Sequence, residues 1–179
     1  ALDTLAASSP IGSDGVVFLP FFNGERTPNL PNGRASIVGL TAANATRANI
    51  ARAAMESAIF GMRIGLEAFQ ARGFRAREIR ITGGGAKSPL WREIAANVMN
   101  LPVKRPDNDE AAAMGGAIQA LWCLKKREGK PVSIGQLADE HVTVGEADCI
   151  TPDPASVAAY DRAYAEYNKY LGALSPLYV

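Results

Sequence analysis

The chain has 179 residues, of which 47% are hydrophobic and 21% are charged, and its formal net charge is +1. This composition is that of a globular protein long enough to bury one sizeable core. So small a net charge gives no electrostatic footprint for nucleic acid or an anionic membrane, and no apolar run reaches the roughly 18 residues of a membrane span. The start "ALDTLAASSP" lacks the pattern of a secretory leader. Because the chain begins with Ala1 rather than Met, we expect either a processed protein or part of a longer one.

Cysteine and histidine are too sparse for a metal site. Cys123 and Cys149 are isolated, and His141 is the single histidine. A Cys/His metal centre is therefore not expected, and a histidine-based triad would depend on one residue. Two lone cysteines fit a reducing compartment, so we expect a cytoplasmic protein.

The first forty residues predict two strands separated by a loop. The runs Gly15–Phe22 and Ala35–Thr41 have strand character, whereas Asn23–Gly33 is rich in proline, glycine and asparagine. Such a composition is typical of a loop.

A long helix should follow, with Thr46 at its N-cap and Gly73 at its end. Its periodicity predicts a broad apolar face and a separate charged face. A strip of small residues along it suits close packing on a sheet or another helix. The apolar face consists of Met55, Ala58, Met62, Leu66 and Phe69, and the charged face consists of Arg52, Glu56, Arg63 and Glu67. The strip of small residues consists of Ala54, Ala58, Gly61 and Gly65.

Strands and helices alternate over the next part of the chain, which predicts an α/β architecture with a parallel sheet covered by helices. Ser88 is the predicted N-cap of the middle helix. After Gly129 we expect irregular structure until a final helix, Ala155–Leu171, docks through a tyrosine stripe. We expect one sheet to contain Ile37–Thr41, Ile79–Thr82 and Val103–Lys104, and helices Arg47–Arg72, Pro89–Asn100 and Asp109–Arg127 to pack around it.

The stretch "ITGGGAKSP", Ile81 to Pro89, is the main candidate for a site. A strand, glycines and a helix N-terminus together can receive phosphate groups through exposed N–H donors. The loop is not a Walker A motif, because Ala86 precedes Lys87 and Ser88, and it lacks the third glycine of the dinucleotide fingerprint. Asp107 lies at a spacing that keeps a dinucleotide fold open, and a purely structural turn is the remaining alternative.

Four motifs in order carry a more specific signal: "NGERTP", then "ASIVGLT" followed by "NIARAAME", then "ITGGGAKSPLWREIAANV", and finally "DEAAAMGGAIQAL". This order resembles the C-terminal domain of the FGGY carbohydrate kinases, most closely the xylulokinases. The resemblance extends through the final helix. The residues that match the family's C-terminal signature are Gly39, Leu40, Asn49, Ile50, Ala53 and Glu56.

The resemblance implies a ribonuclease-H-like domain of the actin-like ATPase superfamily, incomplete at its N-terminal side. Residues 1–179 would be the C-terminal ATP-binding domain of a sugar kinase, without its N-terminal sugar-binding domain. By the same resemblance, Gly83, Gly84, Gly85 and Ala86 form an adenosine-binding turn that Lys87, Ser88 and Pro89 border. Mg²⁺ would be held mainly through the nucleotide and residues outside this chain. We expect a branched residue at Gly84 or Gly85 to block ATP by filling its space and disfavouring positive φ.

Other residues receive weaker assignments from this resemblance. Glu25 and Arg26 are either simply solvated or lie on the substrate side of the cleft, with Arg26 facing phosphate or pairing with Glu25. Gly115 and Gly116 would allow close helix packing at the domain hinge. No catalytic residue is expected here, because the family's catalytic aspartate belongs to the N-terminal domain. A homodimer is compatible with the resemblance.

The leading functional hypothesis is therefore the nucleotide-binding part of a ketopentose kinase that uses Mg-ATP, with D-xylulose as the favoured sugar. One alternative is a dinucleotide-binding oxidoreductase in which Asp107 meets a ribose. Another is an actin- or chaperone-like module that binds nucleotide to switch conformation without catalysis.

Overall fold

The protein is described here by a computed structural model that covers residues 2–107, 110–130, 132–145 and 149–178. The fold is mixed α/β and rich in helix. The helices are α1 (Leu2–Ala7), α2 (Arg47–Gln70), α3 (Pro89–Met99), α4 (Ala111–Arg127), α5 (Ile134–His141) and α6 (Pro154–Leu174). The strands are β1 (Val17–Leu19), β2 (Ser36–Val38), β3 (Ile79–Arg80) and β4 (Val103–Lys104). None of the helices in these four ranges is long and apolar enough to cross a membrane.

The strands form two separate ladders, so the prediction of one shared sheet is wrong. β1 pairs with β2 in antiparallel register, with Val17 opposite Val38. β3 pairs with β4 in parallel, with Ile79 opposite Val103. The two ladders pack on different helices: β1 packs on α2 and α6, whereas β4 packs on α3. The parallel arrangement expected for β3 and β4 is confirmed.

Local capping signals set the two ends of α2. The Thr46 side chain accepts a hydrogen bond from the Asn49 amide at 3.1 Å, as its N-cap role predicts. At the other end, Gly73 has φ +89°, and the Phe74 N–H donates to the Phe69 carbonyl. These features form a Schellman motif, whose apolar contact is the Phe69–Phe74 ring pair, 6.1 Å between centroids.

The apolar and charged faces predicted for α2 do not divide into a buried and an exposed side. Arg52 and Glu56 are buried, whereas Met62 and Phe69 are more than half exposed. The first half of α2 is enclosed by the segments around it, so its charged stripe meets polypeptide instead of water. The second half leaves its apolar side uncovered by the described residues.

The core centres on Phe60 of α2 and the tyrosines of α6. The Phe60 ring lies 5.3 Å from the Tyr167 ring and 5.6 Å from the Tyr164 ring, centroid to centroid. Tyr160, Tyr164 and Tyr167 are all buried, which confirms that the tyrosine stripe docks the last helix.

The structure contains two helices that the sequence reading missed, α1 and α5. The second had a recognisable signal, because Ser133 and Gln136 form a capping box at its start. α4 packs chiefly on α5. The predicted first residue of α4, Asp109, lies outside the described residues.

The close packing expected at Gly115 and Gly116 is not present among the described residues. A Cβ atom added at either glycine would meet no heavy atom within 4 Å. The same holds for Gly61 and Gly65 in the small-residue strip of α2. Those two glycines instead border an open groove.

Candidate functional site

The glycine loop follows the β3–β4 ladder directly. The Ile81 N–H donates to the Lys104 carbonyl at 3.0 Å, which prolongs the ladder up to the loop. Gly83 then takes φ +83° and ψ −165°, a conformation that is essentially restricted to glycine. Residues Gly84–Lys87 form one 3₁₀ turn, and α3 begins at Pro89. The predicted strand, glycine turn and helix therefore occur in that order.

The loop presents backbone donors to solvent. Gly83, Gly84 and Gly85 are exposed. The amides of Ala86 and Ser88 are used internally, donating to the carbonyls of Gly83 and Gly85. The N–H groups of Gly84 and Gly85 find no acceptor among the described residues. Two unclaimed donors at the entrance to a helix, with no side chain over them, can bind an anionic or polar ligand.

The three glycines of the loop differ in conformation and surroundings. The expectation of positive φ at Gly84 and Gly85 is wrong. Of the three, only Gly83 has positive φ. A Cβ at Gly84 would point into open space, whereas a Cβ at Gly85 would lie 3.3 Å from the Trp91 ring nitrogen. Gly83 permits the turn, Gly85 permits packing, and Gly84 leaves space that nothing in the described residues fills.

The other predicted loop residues anchor or border the turn. Ala86 is fully buried, so its methyl group holds the loop against the core. The Ser88 hydroxyl accepts from the Trp91 amide at 3.0 Å, which confirms Ser88 as the N-cap of α3. Lys87 is exposed beside the loop, and Pro89 occupies the first turn of α3.

Glu25 and Arg26 lie in a tight turn between β1 and β2. The Glu25 carboxylate accepts from the amides of Arg26, at 2.7 Å, and Thr27, at 3.3 Å. This carboxylate therefore holds its own loop through backbone amides, and it forms no ion pair with Arg26 within the described ranges. No hydrogen bond, ion pair or cavity described here joins this turn to the glycine loop.

Metal ligands are not assembled in the described part of the chain. No group of three or more His, Cys, Asp or Glu side chains there could hold a metal ion.

Sequence reasoning missed a buried polar network in the described residues. Glu56, which is only 2% exposed, accepts from the Arg52 Nε at 2.8 Å and from the Gly12 amide at 3.0 Å. Its second oxygen accepts from the Ser13 hydroxyl at 2.9 Å. Arg52 also donates to the Ser9 carbonyl and, at 2.7 Å, to the Tyr160 hydroxyl. The network ties the start of the chain to α2 and α6.

Burial dominates the electrostatics of this network. Desolvation raises the pKa of the Glu56 carboxyl above its ordinary value, and the hydrogen bond from Arg52 offsets part of that rise. Desolvation likewise raises the pKa of Tyr160. Asn49 also joins the network, because its side-chain oxygen accepts a hydrogen bond from the Ser9 hydroxyl at 2.7 Å. The sequence signal that could have indicated the network was the presence of Asn49 and Glu56 in the signature segment.

The network supports an unusual left-handed turn. Gly12, Ser13, Asp14 and Gly15 all have positive φ, between 53° and 82°. Such a conformation is costly for Ser13 and Asp14, which carry side chains. Glu56 binds the beginning of the turn, and the Asn44 side-chain amide donates to the Asp14 carbonyl at 2.9 Å. The buried polar groups thus hold a strained segment in place.

Comparison with known proteins agrees with this architecture. Residues 1–124 match the model of the FGGY family of carbohydrate kinases, C-terminal domain. A xylulose kinase of Haemophilus influenzae is 46% identical over 177 residues, which cover 99% of this chain and 34% of that protein. The chain therefore spans about a third of the length of the curated relatives it matches.

Solved structures give the same result. The crystal structure of xylulose kinase from Rhodospirillum rubrum superposes with a TM-score of 0.82 and 31% identity, covering 99% of this chain and 34% of that one. Gluconate kinase from Lactobacillus acidophilus superposes with a TM-score of 0.86 and 25% identity, covering 99% and 35%. The fold is thus shared by proteins named for different sugars. The chain belongs to the FGGY family of carbohydrate kinases, and its first 124 residues match that family's C-terminal domain.

Proposed function

We propose that this chain is the nucleotide-binding part of a carbohydrate kinase that phosphorylates a ketopentose, with D-xylulose favoured, at the expense of Mg-ATP. The observation that carries the proposal is the glycine loop, an exposed turn with two unclaimed amides in a chain that is 46% identical to a xylulose kinase. Family membership favours this reading over a dinucleotide-binding oxidoreductase and over a non-catalytic switch module.

The loop supports nucleotide binding through shape and donors. Gly83 lets the backbone turn sharply, and Gly84 leaves open space in front of it. The amides of Gly84 and Gly85 would hold the nucleotide, while Lys87, Ser88 and Pro89 would border it at the start of α3. ATP supplies the phosphoryl group, and in kinases generally catalysis consists mainly of positioning and charge stabilisation.

The remaining catalytic parts are assigned to polypeptide beyond this chain. The described residues contain no cluster of metal ligands, so Mg²⁺ would be held through the nucleotide and groups elsewhere. Asp107 and Glu110 lie at the approach to α4, and neither has a recognisable catalytic context. Glu25 and Arg26 stay proposed as substrate-side residues. The N-terminal part of the full-length protein would supply the sugar site and the base.

Substitution of Gly84 by Val in the full-length protein tests the nucleotide site. Gly84 has an ordinary φ and open space, so the loop should tolerate the side chain while the nucleotide should not. We expect ATP affinity measured by calorimetry to fall at least tenfold, with sugar binding and thermal stability preserved. Gly172→Val is a matched control, because Gly172 is exposed on α6 with equally open space.

The same assay separates the competing functions. ATP and NAD are titrated side by side, and ATP turnover is then measured with and without D-xylulose. Normal ATP binding by the Gly84→Val protein would show that the loop is only a turn. Binding of NAD in preference to ATP, or ATP turnover that does not depend on any sugar, would overturn the proposed activity.

A further inference from the structure

One side of the glycine loop is in contact with Trp91, a residue of α3. The Trp91 side chain is partly buried and packs against the core. A Cβ built on Gly85 would lie 3.3 Å from the Trp91 Nε1 atom and 3.5 Å from both Cδ1 and Cε2. These distances place the Cβ direction over the face of the indole, because an approach in the ring plane would leave the two flanking atoms distinctly farther away. The backbone at Gly85 thus rests on a flat aromatic surface.

Ser88 joins the same two residues through hydrogen bonds. Its hydroxyl accepts from the Trp91 amide at 3.0 Å, and its own amide donates to the Gly85 carbonyl at 3.1 Å. Gly85 is therefore fixed to the start of α3 by two different contacts, one polar and one with the ring. The N–H groups of Gly84 and Gly85, which have no acceptor in the described ranges, lie in the segment that these contacts hold.

The contact between the loop and the ring consists of packing alone. The indole N–H donates no hydrogen bond to any residue that the structure describes, so the flat ring supports Gly85 without help from its polar atom. A run of glycines has much conformational freedom to lose. A rigid support reduces the entropy lost when a ligand orders such a loop, and a large aromatic side chain provides that support.

We propose that Trp91 is a positioning residue of the nucleotide site. Its indole holds the Gly85 backbone in place, so that the amides of Gly84 and Gly85 are already ordered when ATP arrives. The ring therefore responds to nucleotide binding, although its N–H does not bind the nucleotide. This inference rests on the proposed function, since it takes the glycine loop to be the nucleotide site.

Two substitutions of Trp91 in the full-length protein test this role. Trp91→Ala removes the ring, whereas Trp91→Phe keeps an aromatic face without the N–H. By calorimetry well below the unfolding temperature, we expect ATP affinity to fall roughly tenfold in Trp91→Ala and to change little in Trp91→Phe. The affinity for D-xylulose should stay the same in both. Trp122→Ala is the matched control, because Trp122 lies on α4 and its ring faces Lys126 at 5.2 Å.

A spectroscopic signal of the ring tests the proposal without changing Trp91. The full-length protein is labelled with 5-fluorotryptophan, and the fluorine resonances of Trp91 and Trp122 are assigned by their absence from Trp91→Phe and Trp122→Phe. We expect ATP to shift the Trp91 resonance and to leave the Trp122 resonance in place. A tryptophan that served only the stability of α3 would not respond to the nucleotide.

Four results would overturn the proposal. Normal ATP affinity in Trp91→Ala means that the ring does not position the loop, even if the thermal midpoint falls. Equal losses in Trp91→Ala and Trp91→Phe mean that the N–H itself binds the nucleotide. An unchanged Trp91 resonance at saturating ATP decides against the role even if Trp91→Ala fails to fold. Failure of the wild-type protein to bind ATP overturns the proposed function as well, so the two failures are distinguished.

Discussion

At the residue scale, two arginine–glutamate pairs on α2 have the same sequence spacing and different environments. The Arg52–Glu56 pair is buried, with side-chain exposures of 8% and 2%, whereas in the Arg63–Glu67 pair they are 21% and 47%. Removing one partner of a buried pair strands a charge without water, whereas an exposed pair contributes little. The two pairs thus form a natural comparison within one helix.

We expect Glu56→Ala to lower the free energy of unfolding by about 3–5 kcal/mol, because Arg52 and the Gly12 amide lose their acceptor. For Glu67→Ala the loss should be about 1 kcal/mol. Urea denaturation of both variants measures the difference. Equal losses would contradict the structural role assigned to the buried pair.

Tyr164 should make the stability of the protein depend on pH in the alkaline range. Its hydroxyl donates to Glu67 at 2.8 Å, and burial raises its pKa to about 12. Because the pKa is raised by folding, the unfolded chain loses this proton first. The stabilising contribution is complete below the ordinary tyrosine pKa of about 10 and is lost as the pH rises toward the folded value.

Tyr164→Phe should therefore reduce the alkaline loss of stability. Between about pH 9 and pH 11, the wild-type free energy of unfolding should fall by on the order of 1 kcal/mol more than that of the variant. Denaturation curves at both pH values give the comparison. An identical pH dependence in the two proteins would mean that the Tyr164 pKa is not raised.

Local signals explain which parts of the fold and site could be predicted from sequence. Thr46 and Ser88 are short-range caps, and the tyrosine stripe is a helical period, so these predictions were confirmed. The glycine turn itself was also placed correctly. Its φ angles were not, since three adjacent glycines look alike in sequence while only Gly83 has a positive φ.

Long-range pairing explains the failures. The sheet prediction was wrong because strand partners far apart in sequence are chosen by packing, and the two ladders pack on different helices. The burial of Arg52 and Glu56 escaped notice for a related reason. A charged stripe at helical spacing does not reveal that the backbone of residues 9–13 will cover it.

At the element scale, the end of α2 provides a test of the Schellman motif. Gly73 has φ +89°, so Gly73→Ala should cost about 1–2 kcal/mol of stability. Gly172→Ala inside α6 should instead gain roughly 0.5–1 kcal/mol, because alanine is the better helix former and the space is open. Thermal denaturation of the two variants should therefore shift in opposite directions. A gain at both positions would show that the α2 terminus tolerates a side chain at this φ.

At the scale of the whole molecule, we expect the 179-residue chain alone to lack sugar kinase activity. Phosphoryl transfer requires acceptor, base and triphosphate to be held in line, and the described residues offer one proposed nucleotide loop without a metal cluster. ATP should also bind weakly, since contact from one side leaves the phosphates in water. The purified chain is assayed with Mg-ATP and D-xylulose beside the full-length protein. Turnover by the chain at a rate close to that of the full-length protein would show that the base lies within it.

The Glu56 network also determines where the polypeptide can be trimmed or cut. Residues 9–13 supply the Ser9 carbonyl to Arg52 and the Gly12 and Ser13 donors to Glu56. A protease that cleaved after this stretch would leave the Arg52–Glu56 pair in place, but would remove the Ser9 acceptor from Arg52 and the Gly12 and Ser13 donors from Glu56. Residues 9–13 therefore belong to the hydrogen-bonded interior, although they precede the first strand.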